Sequence, residues 1–253
     1  MDDTDRTPEF EGETGTEPEV PSTIDPNDRE AIDRFMEEMQ QEEASQGPGG
    51  LAPGAARAAT RSVPLVKVVD LTSKTPTSVY NNRPNGKESI AGILLHHTGS
   101  PSEEGDIFYL SHSHANPVST HKVFRRNGTI VKLVPDEKRA WHAGASRWRD
   151  FTDCNDTMIG YEICNRGNGE DYTAAQYESI AQSIAYDCAL YHIPDRNVTT
   201  HRQVRDEYLK VHPGKAAKKN DPFGLDLDRL WNRVREIRAN WPPEWGIPLW
   251  SNP

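Results

Sequence analysis

Residues 90–96 read IAGILLH, a nearly continuous apolar run that stops at a pair of histidines. The run is far too short to cross a membrane, and it does not alternate as a half-solvated strand would. It fits a strand covered on both faces, which requires a sheet with helices on either side. Residues 158–164, MIGYEIC, repeat the pattern. Residues 122–126 and 129–134 flank Asn127-Gly128, a strong short hairpin signal. Residues 64–71 add a short β-branched run. Thr173 is placed to cap a long helix reaching about Tyr191, with Tyr177, Ile180, Ala181, Ile184, Ala185 and Cys188 on one stripe. Residues 226–237 predict a last helix carrying Leu227, Leu230, Trp231 and Val234 on one face. Strands interleaved with helices imply an α/β domain over residues 61–240, with a single mixed central β-sheet flanked by helices.

Charge divides the chain unevenly. Residues 1–50 carry 16 acidic and 3 basic side chains, so they account for more than the whole net charge of −10. The remainder is mildly cationic, which would not repel a polyanionic cell wall. No nucleic-acid partner is expected. Up to about Pro26 almost nothing is apolar, so this segment reads as a disordered acidic arm. A short amphipathic helix follows. Asn27 is placed to cap it, with Glu30 three residues on, and Ile32, Phe35, Met36 and Met39 share a face. Such a face suits a transient helix or one that docks a protein partner. QGPGGLAPG, residues 46–54, reads as a linker. Residues 1–60 are therefore expected to be dispensable for chemistry, and the protein to be a monomer.

No apolar run approaches the roughly 20 residues of a membrane span. The N-terminal sequence lacks the apolar core of a secretory signal, which predicts synthesis in the cytoplasm and no membrane insertion. Cys154, Cys164 and Cys188 are an odd set without paired metal spacing, expected to be reduced and buried. The tail from Trp241 to Pro253 carries three tryptophans among prolines; it is too short for a separate wall-binding module and is expected to pack back on the domain.

The chemistry concentrates at three places. The first is His96-His97, where the inner strand exits; adjacent strand residues face opposite ways, so one of the pair should serve a given site. The second is VTTHRQV, residues 198–204, with His201. The third is KKNDPFGLDLD, residues 218–228, with Lys219 and Asp221. Two imidazoles and a carboxylate suit Zn²⁺ and leave a coordination position open, which separates a catalytic ion from a structural one.

Six strings in order, ILLHHTGS, STHKVFRRNGTIVKLVPDEKRAWHAGAS, CNDTMIGYEICNRG, TAAQYESIAQSI, VTTHRQV and KKNDPFGLDLDRLW, span about residues 90–232. In these strings the chain resembles the amidase-2 family of N-acetylmuramoyl-L-alanine amidases, which includes amidase-type phage lysozymes, cytosolic muropeptide-recycling amidases and peptidoglycan recognition proteins. RAWHAGASRW and CNDTMIGYEI are most similar to the recycling branch. The resemblance implies a zinc amidase acting on peptidoglycan or muropeptide. It implies His96, His201 and Asp221 as metal ligands, Lys219 as stabiliser of the oxyanion and Glu162 as general base and acid. On chemical grounds Glu162, on an apolar strand, should have a raised pKa and could shuttle a proton; a salt-bridged buried carboxylate is the plain alternative. His97, His121, Trp141 and His142 are expected to line the groove or support the ligands, and Trp141 could equally be core.

Two departures stand out. His201 and Asp221 lie further apart than is usual in the family, separated by an insertion, DEYLKVHPGKAA, read as loop; its His212 is a rival ligand. Thr120 stands where some members carry a Tyr, and the resemblance to the recycling branch implies Glu162 in that role. The acidic arm favours a phage endolysin acting on the cell wall over a cytosolic recycling enzyme. A non-catalytic peptidoglycan-binding or virion-attached protein would have lost ligands that this chain retains.

Overall fold

The structure, a computed structural model, describes residues 28–46, 64–112, 117–215 and 219–250. The expected disordered arm up to Pro26 and most of the expected linker lie outside the described residues. Six strands form the central sheet: β1 (Val68–Asp70), β3 (Gly92–His97), β4 (Lys122–Phe124), β5 (Ile130–Lys132), β7 (Met158–Ile163) and β8 (Val198–Thr200), in the order β1-β5-β4-β7-β3-β8. Only β4 and β5 pair antiparallel, across the Asn127-Gly128 turn, where Gly128 takes a φ of 84° that favours glycine. The other four pairings are parallel, so the sheet is mixed, as the sequence implies. A small antiparallel pair, β2 (Tyr80–Asn82) with β6 (Lys138–Ala140), was not foreseen.

Alternation along the inner strands sorts the two faces. Ile93 and Leu95 of β3, with Ile159, Tyr161 and Ile163 of β7, join one buried cluster with α4 (Ala174–Tyr191) and α6 (Leu227–Ala239). Thr173 caps α4 through a capping box with Gln176, and Asp226 caps α6 by accepting from Arg229 N–H. Trp245 of the tail is buried in the same cluster, its ring edge-on to Tyr186 at 5.4 Å, so the tail packs back on the domain.

The opposite face has two apolar patches. Leu94 and Met158 pack with Cys154 of α3 (Cys154–Thr157) and Val204 of α5 (His201–Val211). Val123 and Val131 pack with Ile107 and Leu110 of α2 (Glu103–Ser111) and with Met39 of α1 (Arg29–Ser45). Between these patches the strand ends are left for a site.

Two readings need correction. The cap of α1 is Asp28, accepting from Ala31 N–H at 3.0 Å; Asn27 lies outside the described residues. More importantly, the apolar face of α1 is occupied by this chain. Met39 is only 1% exposed, and Phe35 meets Phe108 edge-on at 5.7 Å. The face predicted as a dock for an outside partner thus packs on β1 and α2. Glu42 and Glu43 pair with Lys74 and Lys67, and the Gln46 amide bonds both main-chain groups of Asp70 at 2.9 Å each. The first half of the inserted segment is also not loop: residues 206–211 continue α5, whose Thr200–Gln203 capping box was present in the sequence. The three cysteines are buried and free, as expected. Among the described residues no helix is long and apolar enough to cross a membrane.

Candidate metal centre and active site

The carboxyl ends of three parallel strands converge here, the usual place for a site in an α/β sheet. His96 is the penultimate residue of β3, and His201 opens α5 directly after β8. Because Leu95 pairs with Thr200, the two histidines arrive level. Asp221 is pinned from both sides. Its carbonyl accepts from Arg202 N–H at 3.0 Å, and Phe223 N–H reaches His97 Nδ1 at 3.3 Å.

The three side chains meet. His96 Nδ1 and His201 Nδ1 lie 2.8 Å apart, and Asp221 Oδ2 lies 3.0 Å from each. His212, the rival, is exposed at the end of α5, stacked on Tyr208, and does not reach the cluster.

The donor set fits a divalent ion. Each imidazole turns Nδ1 inward because its other nitrogen is engaged: His96 Nε2 meets His142 Nδ1 at 3.0 Å, and His201 Nε2 meets the Ala143 carbonyl at 3.2 Å. Such outer partners fix the tautomer that a ligating histidine needs. Burial, then His201, push His96 down to about 4, so it is neutral at pH 7. Burial works to raise the Asp221 carboxyl, but hydrogen bonds from His201 and His96 outweigh it and hold it far below the usual range. The neutral His96 imidazole thus stands beside the Asp221 carboxylate, with His201 completing the set.

Glu162 pairs with His96 in strand register, so both project from one face. One of its carboxylate oxygens is buried without a hydrogen-bond partner among the described residues. Burial, then Asp221 and Asp106, push its pKa well above the usual value. No salt bridge holds it among the described residues. Lys219 donates to the Ala143 carbonyl beside the cluster, and burial lowers its pKa. Gly144, at a φ of 58°, leaves room for it: a Cβ there would sit 2.7 Å from the Lys219 ammonium.

The remaining expected residues divide. His142 is 9% exposed and supports His96. His97 points to the other side of β3 and is held by Tyr172 and Phe223. His121 is fully buried and does not line a groove: its Nδ1 accepts from Gly160 N–H, and its Nε2 lies 3.0 Å from the Lys138 carbonyl. Trp141 lines a separate surface cleft with Tyr80 and Asn82 rather than the cavity beside Glu162. Two residues escaped sequence reading. Arg83 is buried behind the site and donates to the carbonyls of Asp136, Asn155 and Met158, and nothing around it in the sequence announces this. Asp106 faces the cavity beside Glu162, yet in sequence it is an ordinary acid in a helix's first turn.

Fold and donor set together have the form of a hydrolase built around a metal ion. The family Amidase_2, N-acetylmuramoyl-L-alanine amidase, matches residues 86–222, and the chain belongs to it. A 1,6-anhydro-N-acetylmuramyl-L-alanine amidase AmpD from Salmonella typhimurium is 37% identical over 122 residues, 47% of this chain and 62% of that protein. The AmpD of Escherichia coli is 36% identical over 153 residues, 56% of this chain and 78% of its own. The chain thus spans about three fifths of the length of the first of these relatives. A crystal structure of a selenomethionine AmpD derivative superposes with a TM-score of 0.52 at 27% identity, covering 73% of this chain and 99% of that one.

Proposed function

We propose that this protein hydrolyses the amide between the lactyl group of N-acetylmuramic acid and L-alanine, with a zinc ion held by His96, His201 and Asp221. The observation that carries the reading is the meeting of these three side chains within 4.8 Å, with Glu162 beside them in strand register, in a member of an amidase family. Zinc, when bound, would polarise the amide carbonyl and activate water. Glu162, with its raised pKa and an unpartnered oxygen, takes the proton from the attacking water and returns it to the alanine nitrogen as the C–N bond breaks. The Lys219 ammonium, held at the Ala143 carbonyl beside the cluster, offsets the negative charge that develops on the carbonyl oxygen. His142 and the Ala143 carbonyl orient the two imidazoles.

The favoured substrate class is the small anhydro-muropeptide, since the AmpD relatives carry that substrate in their names. Endolysin action on intact wall is the second reading, supported by the acidic first 50 residues. Incubation with each substrate, with mass spectrometry of the products, tests both. Release of free-amino L-alanyl peptides from anhydro-muropeptide is expected. Cleavage of sacculi alone would favour the lytic role, and cleavage of neither would overturn the amidase reading.

A further inference from the structure

One side chain stands behind the surroundings of both imidazoles. Asn155 Oδ1 accepts from His142 N–H at 3.0 Å and from Ala143 N–H at 2.8 Å. His142 meets His96 Nε2, while the Ala143 carbonyl meets His201 Nε2 at 3.2 Å and accepts from Lys219. The two residues that orient His96, His201 and Lys219 are therefore tied to a single amide oxygen. Two main-chain donors on one atom also settle which end of the amide it is, since only the oxygen accepts.

The segment that receives this support has little else to fix it. Residues 142–144 belong to no helix or strand, so no ladder of main-chain bonds sets their position. Asn155, by contrast, is anchored in α3 and is 5% exposed. Its N–H donates to Asp153 Oδ1 at 2.9 Å, and its carbonyl accepts from the buried Arg83 at 2.9 Å. Asp153 is paired in turn with Arg139 of β6. The next residue back, Cys154, donates its N–H to Ser146 Oγ, which donates to the Gly144 carbonyl, each at 3.0 Å. A rigid point is thus joined to an irregular stretch at the place where that stretch meets the two imidazoles.

We propose that Asn155 is a positioning residue for the metal centre: its amide oxygen sets His142 and Ala143, and through them His96, His201 and Lys219. The assignment rests on the metal reading of His96, His201 and Asp221. Asn155 itself touches none of these side chains. Filling space would require only volume, which leucine supplies about as well as asparagine. Positioning requires an acceptor, which aspartate supplies and leucine does not. Without the oxygen two buried N–H groups lose their partner, a costly state that the segment relieves by shifting, and both supports shift with it. His142→Ala removes one support, so Asn155→Leu should weaken metal binding more.

The test compares Asn155→Leu and Asn155→Asp with the wild-type full chain, first in chelator and then loaded with cobalt(II). In chelator, NMR reads amide exchange at His142 and Ala143 and the imidazole signals of His96 and His201. Asn155→Leu should speed exchange at both amides by about 10-fold or more and move both sets of imidazole signals, and Asn155→Asp should restore the wild-type pattern. Cobalt(II) affinity should fall by about 10–100-fold in Asn155→Leu, with a changed visible spectrum, and recover in Asn155→Asp. An Asn155→Leu protein that is folded by circular dichroism and keeps wild-type imidazole signals and affinity would overturn the proposal. So would an Asn155→Asp protein as impaired as Asn155→Leu, or unprotected His142 and Ala143 amides in the wild type. If Asn155→Leu does not fold, Asn155→Ser, whose hydroxyl falls short of the two amides, takes its place. A wild-type chain that binds no cobalt(II) would sink the metal reading, and the signals recorded in chelator would still decide the role of Asn155.

Discussion

Gly160 and His142 are packed so closely that a Cβ on Gly160 would fall 2.6 Å from the imidazole ring. That ring meets His96 Nε2 at 3.0 Å, in the orientation proposed to bind the metal. Gly160→Ala should therefore tilt His142 and loosen the metal site without unfolding the sheet. Losing an outer partner of this kind typically costs 10–100-fold in metal affinity. Competition against a zinc chelator reads this directly, with circular dichroism as a control on folding; wild-type affinity in the variant would refute the link.

Glu162→Gln removes proton transfer and leaves all three proposed ligands in place. Turnover of anhydro-muropeptide should fall by about 10²-fold or more, at the strong end of general acid–base effects. Metal content should stay near wild type. A variant that turns over normally would mean the carboxyl serves packing alone.

The insertion between His201 and Asp221 supplies a paired test. Asp221 sits at hydrogen-bond distance from both imidazoles, and His212 is exposed and stacked on Tyr208. Asp221→Ala should strip zinc, whereas His212→Ala should leave about one equivalent per chain by elemental analysis. The reverse result would show that the insertion has rebuilt the site.

Acid should destabilise the metal-free protein. Burial, then Arg83, push His121 down to about 3, against about 6.5 in an unfolded chain. Below pH 6.5 the unfolded chain takes up a proton that the folded one refuses. Stability is therefore lost as pH falls from about 6.5 toward 3, by roughly 1.4 kcal/mol per pH unit for this group. Asp221 adds a loss of the same sign at lower pH, since its depressed carboxyl stabilises only above the unfolded value near 3.9. Urea unfolding in chelator between pH 7.5 and 4 measures it, and a flat profile would be the wrong outcome.

Met39 tests the place of the first helix. Its side chain is 1% exposed among Val69, Leu71, Ile107 and Leu110. Met39→Ala should cost about 2–5 kcal/mol, as for other large-to-small changes in a core. Removal of residues 1–46 should cost more, because it bares the apolar side of α2. Unchanged denaturation midpoints would restore the picture of a dispensable arm.

Much of this was legible in the residues. The apolar runs ending in His96 and containing Glu162 located the inner strands, but that the two side chains share a face came only with the strand register. The Thr173 cap located α4, and the apolar face of Leu227, Leu230, Trp231 and Val234 located α6. What was not legible depended on contacts between distant segments. The stripe on α1 shows that it needs a partner, but not that the partner is β1 and α2 of the same chain. The burial of His121 depends on Arg83 and Lys138, which no local spacing links to it. Helix α5 was missed for a different reason: its face is mostly polar, with only His201 and Val204 buried, so the capping box was its one clear signal.

The Gln46 amide bears on how molecules of this protein meet one another. β1 is the outermost strand on its side of the sheet, and the main chain of Asp70 would otherwise present a bare donor and acceptor to any passing strand. Gln46 occupies both, as a neighbouring strand would. A molecule that has lost the helix together with Gln46 bares that margin. Such a fragment is expected to self-associate edge to edge, so precipitation, more than loss of catalysis, would be the first sign of proteolysis there.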